Sequence, residues 1–78
     1  MKLPRGVTAE RVIRALERLG YNVIRQKGSH IRLRNDGPPA HSITVPWHNP
    51  LKTGTLTSIV SEVARAQSVS VDSIIEML

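Results

Sequence analysis

The stretch "KGSHIRLRNDGPPAHSITVP", residues 27–46, decides the fold. "HIRLR" (30–34) alternates strictly. Ile31 and Leu33 fall on one face of an extended chain, and His30, Arg32 and Arg34 on the other. "HSITVP" (41–46) alternates again, with Ile43 and Val45 inward and Ser42 and Thr44 outward, and Pro46 ends the strand. "NDGPP" between them is a cluster of turn residues. "KGS" makes a second tight turn, back to the β-rich segment "YNVIRQ" (21–26). Three short strands joined by tight turns form an antiparallel meander.

Helical periodicity flanks this meander on both sides. Val12, Ile13, Leu16 and Leu19 recur at helical spacing. Thr8 is placed to cap the first amides, and Gly20 accepts the left-handed conformation that stops a helix. A helix over about residues 8–19 follows, after a lead-in of residues 1–7, with Arg11, Arg14 and Arg18 off its apolar stripe. Beyond the irregular "WHNPLKTG", Leu56, Ile59, Val60, Val63 and Ala64 mark a full apolar face on a helix that begins near Thr53 to Thr55. Ser68 to Ser70 interrupts the pattern. A last short helix, capped by Ser70, carries Val71, Ile74, Ile75 and Leu78. The expected fold class is α+β, in the order α-β-β-β-α-α. The two longer helices cover one face of a three-stranded antiparallel sheet, and the other face is open to water.

Composition narrows the function. The chain has 78 residues, 11 Lys and Arg against 6 Asp and Glu, and a net charge of +5. That length predicts one domain over residues 1–78 with a thin core, too small to enclose a large cofactor. The excess of positive charge predicts an anionic partner. No apolar run approaches the roughly 18 residues of a membrane helix, and no secretory signal is evident. There is no Cys, so neither a disulfide framework nor a thiolate zinc site is expected, and a cytoplasmic setting is permitted. No Gly-rich phosphate loop is present, and the three histidines (His30, His41, His48) lack metal-site spacing. The expectation is therefore no metal, no small-molecule cofactor and no membrane partner.

The chemistry collects on the open face of the sheet. His30, Arg32 and Arg34 project there, and Thr44 of the neighbouring strand joins them. Arginine matches phosphate through its planar fork of donors. Histidine is the usual proton-transfer group near neutral pH. RNA cleavage needs a base for the 2′-hydroxyl, an acid for the leaving oxygen, and cations for the developing charge. His30 is thus the candidate catalytic residue, with Lys27, Arg32 and Arg34 as phosphate-binding candidates and His48 a second, weaker proton-transfer candidate. Lys52, at the start of the second long helix in "LKTGT", is a further anion-binding candidate. A non-catalytic RNA-binding module, or a module whose cationic face meets an acidic protein, would use the same residues.

"ALERLGYNVIRQKGSHIRLR", "ITVPWH" and "LKTGTLTSIV", taken in order with the last short helix, resemble the HicA (YcfA-like) toxin family over about residues 8–78. The resemblance implies a fold like the double-stranded-RNA-binding domain, α-β-β-β-α with a further small helix. It implies a metal-independent ribonuclease acting on mRNA, the toxin of a type II toxin–antitoxin pair. It places the catalytic histidine of the "GSH" motif at His30, completed by Gly28 and Ser29. It also implies a HicB-type antitoxin as protein partner, covering the active face.

Overall fold

The computed structural model describes residues 2–78; Met1, the first residue of the expected lead-in, lies outside them. The elements are α1 (Ala9–Arg18), β1 (Asn22–Lys27), β2 (His30–Asn35), β3 (His41–Pro46), α2 (Thr53–Gln67) and α3 (Val71–Ile75). The strands form one antiparallel sheet in the order β1-β2-β3. This is the expected α+β, double-stranded-RNA-binding-domain-like architecture.

The local signals act as their chemistry requires. Thr8 is extended, and its Oγ1 accepts from the Arg11 amide at 3.3 Å, which satisfies one orphan donor of α1. Gly20, just past the end of α1, has φ +97°, a value that a side chain would resist. Ser68 ends α2 in the left-handed region, and the Ser70 hydroxyl accepts from the Ser73 amide to start α3. That helix stops at Ile75, three residues short of the expected apolar stripe, yet Leu78 still packs against the core.

Leu33, Ile43 and Val45 from the sheet pack against Val12 and Leu16 of α1, and against Leu56, Ile59, Val60 and Val63 of α2. The lead-in belongs to this core. Val7 is buried and its carbonyl accepts from the Leu51 amide at 2.9 Å, so residue 7 is pinned before α1 begins.

Two features of the sheet depart from simple alternation. Both long helices pack on β3. β1, two strands away, overhangs them: all six of its residues are exposed, Val23 and Ile24 at 46% and 56%. In addition, Val23 pairs with Leu33 but Arg25 pairs with Arg32, which leaves Ile24 as a bulge. A bulge inserts one unpaired residue, so every side chain beyond it changes face. At the far end of β2, Asn35 is part of the strand, not of the turn. Its buried side chain donates to the Leu19 carbonyl at 2.9 Å and accepts from the Gly37 amide at 2.8 Å, which ties the end of α1 to the β2–β3 turn.

Candidate functional site

The register sets three rows of side chains on the open face. Lys27, His30 and Pro46 lie side by side at one end. Arg25, Arg32 and Thr44 form the middle row. Asn22, Arg34 and Ser42 form the last. Lys27 and His30 flank a two-residue hairpin loop, Gly28–Ser29, with positive φ (+58°) at Gly28 alone, the pattern of a type II′ hairpin turn. The Ser29 carbonyl accepts from the Trp47 amide at 2.6 Å, so the turn that carries His30 is fastened to the segment leaving β3.

Arg25, Lys27, His30, Arg32 and Thr44 together line a shallow depression of about 320 Å³. The sequence-predicted residues His30, Lys27, Arg32 and Thr44 are therefore brought to one place. Arg25 joins them and was not among the expected site residues. Strict alternation in "VIRQK" puts Arg25 on the Val23 face; the bulge at Ile24 turns it to the other. The only sequence signal is the adjacent apolar pair Val23–Ile24, which fits no single alternation.

Among the described residues, no carboxylate lines the depression. Arg25 stands opposite Arg32. Like charges directly opposed on neighbouring strands are destabilising. Such a set is electrostatically suited to a polyanion that neutralises it on binding. Arg32 is oriented by donation from Nη1 to Thr44 Oγ1 at 2.9 Å. Arg34 shares the face but is engaged elsewhere: its Nε donates to Asp36 Oδ1 at 2.9 Å and its Nη1 reaches Ser42 Oγ at 3.5 Å.

Other expected residues lie apart. Lys52 is the N-cap residue of α2 and caps no amide with its side chain. It lines a different cavity, with Arg5 and Pro50, away from His30. His48 is exposed and does not line the depression. Its amide donates to the Pro46 carbonyl, and its own carbonyl accepts from the Ala9 amide.

The third histidine, His41, is structural. Its Nδ1 is 2.6 Å from the Tyr21 hydroxyl and its Nε2 is 2.9 Å from Glu62 Oε2, while Gln67 Nε2 donates to the Tyr21 hydroxyl at 3.1 Å. One direction satisfies every group. Gln67 donates to Tyr21, Tyr21 donates to Nδ1, and Nε2–H donates to Glu62. Tyr21 is fully buried, and burial pushes its phenol above the ordinary 10.0, helped by the Glu62 charge and opposed by the Gln67 hydrogen bond. The chain thus exposes His30 on the sheet face while His41 is held between β3 and α2.

The arrangement defines a class: a small α+β domain of double-stranded-RNA-binding-domain type, with an exposed histidine among unneutralised cations on its open sheet face. A family model described as "HicA toxin of bacterial toxin-antitoxin" matches residues 9–66, from the first residue of α1 to within one residue of the end of α2. The chain belongs to the HicA toxin family, whose members are toxins of toxin–antitoxin systems and so have an antitoxin partner. The match leaves α3 outside. Neither a curated protein nor a solved structure matches the chain. No helix among the described residues is long and apolar enough to cross a membrane.

Proposed function

We propose that this toxin is a ribonuclease that binds single-stranded mRNA across its open sheet face and cleaves it with His30, without a metal ion. The observation that carries this reading is the depression itself: three strong cations and one exposed imidazole, with no carboxylate among them. Arg25, Lys27 and Arg32 hold the reacting phosphate and its neighbours along the strand. His30 takes the proton from the 2′-hydroxyl, and the freed oxygen attacks the adjacent phosphorus. The bond from phosphorus to the 5′-oxygen breaks, leaving a 2′,3′-cyclic phosphate, and the departing oxygen takes a proton from water. Arg25 and Arg32 offset the charge that develops on the phosphoryl oxygens. Gly28 and Ser29 act by setting the turn that presents His30. Arg34, balanced by Asp36, guides the backbone of the RNA and does not meet the reacting phosphate. A HicB-type antitoxin with an acidic surface would silence the enzyme by covering the same cations.

The test is expression in bacteria. Induction of the wild-type chain arrests growth and shortens mRNA, and induction of His30→Ala at equal level does neither. Equal arrest by the two chains would remove His30 from the chemistry. A non-catalytic RNA-binding module of the same fold is the second reading, favoured by the same cations because they suffice for binding. It predicts RNA bound to the wild-type protein with no new ends.

A further inference from the structure

We infer that the groove between β3 and α2 is a nucleobase subsite, selective for bases with an exocyclic amino group. The inference rests on the ribonuclease reading and extends it to specificity. The groove has a volume of about 440 Å³, within the roughly 300–1,000 Å³ range of small-ligand sites. It is continuous with the depression beside His30, because Arg32 and Thr44 line both. An RNA strand whose phosphate meets Arg25 and Arg32 thus has a neighbouring nucleotide at the open edge of β3.

The chemistry changes along this path. The depression offers cations and no carboxylate. The groove offers hydroxyls from Thr55 and Ser58 of α2, an apolar floor of Ile43 and Ile59, and the carboxylate of Glu62. A carboxylate repels phosphate, so this end does not suit the backbone. It suits a base edge: carboxylates accept from the amino group of cytosine, while hydroxyls donate or accept as needed. Glu62 is also held in place. Its Oε2 meets His41 Nε2 at 2.9 Å, and His41 is itself fixed by buried Tyr21. That leaves Oε1 to receive a ligand. Uracil has no amino group to offer it.

The experiment is an NMR titration of the wild-type protein with 2′-O-methyl heptamers of cytidine or uridine, which cannot be cleaved because the attacking hydroxyl is blocked. The amides of Thr55 and Ser58 shift together with Arg32, and the cytidine heptamer binds about tenfold tighter, a difference of about 1.4 kcal/mol. Glu62→Gln abolishes that preference. Ser58→Leu, which fills the groove from an exposed helix position, lowers cytidine affinity to the uridine level. Circular dichroism confirms that both variants fold. Shifts confined to Arg25, His30 and Arg32, with no base preference, would overturn the subsite and leave the ribonuclease reading standing. Absence of shifts anywhere would overturn both. Shifts at Thr55 and Ser58 with an acidic antitoxin protein, but not with RNA, would also overturn it, making the groove a protein-docking edge.

Discussion

Replacing Arg25 by Ala probes the bulge and the proposed RNA interface at once. Arg25, Lys27 and Arg32 line the depression without a carboxylate, whereas Arg34 is already paired with Asp36. Three phosphates neutralised on a single strand, at about 0.7 each, give a slope of log affinity on log salt of about −2. Affinity should then fall roughly 18-fold between 50 and 200 mM salt. Arg25→Ala removes one contact, which brings the slope to about −1.4 and the loss to roughly sevenfold. Fluorescence anisotropy of a labelled 2′-O-methyl RNA, read across that salt range, measures both. Arg18→Ala is the control, because Arg18 is exposed on α1, which packs against the other side of the sheet. A slope unchanged by Arg25→Ala, or changed as much by Arg18→Ala, would refute the placement of Arg25 on the RNA face.

Two further outcomes test the architecture. Leu33→Ala leaves a cavity beneath both helices and costs about 2–5 kcal/mol, a large part of the ~4–12 kcal/mol expected for a chain of this length. Val23→Ala, on the strand that overhangs the helices, costs under about 0.5 kcal/mol; urea denaturation separates the two. Tyr21→Phe strips the partner from His41 and Gln67 and costs about 1–3 kcal/mol near neutral pH. Because the folded state raises the Tyr21 pKa, its protonated phenol stabilises the fold fully below pH 10, and this is lost as pH rises through the folded-state value. Urea melts should therefore show wild type losing its advantage over Tyr21→Phe above pH 10.

Much of this structure is written in local pattern. The faces of β2 and β3 follow from alternation, and the helix limits from Thr8, Gly20 and Ser70, because each signal acts within one turn or one strand. His30, Arg32 and Thr44 were legible as neighbours for the same reason. Arg25 was not. Its face depends on how β1 registers against β2, and "NVIRQK" contains an apolar pair that admits either alternation. The exposure of β1 was equally hidden, since periodicity shows that a strand has an apolar side and not whether a helix reaches it. Asn35 looked like a turn residue because Asn-Asp-Gly is turn chemistry, yet Asn35 bridges two elements that only the folded chain brings together. The Tyr21–His41–Glu62–Gln67 set spans 46 residues of sequence between its ends and leaves no local trace.

The most direct measurement pairs binding with cleavage in one variant. Purified His30→Ala should bind 2′-O-methyl RNA with wild-type affinity and the same salt slope, since Arg25, Lys27 and Arg32 all remain in place. In EDTA, with unmodified RNA, its single-turnover cleavage should be slower by on the order of 10²–10⁴. Cleavage by His30→Ala at the wild-type rate, with binding intact, would contradict the claim that His30 carries the chemistry of this face.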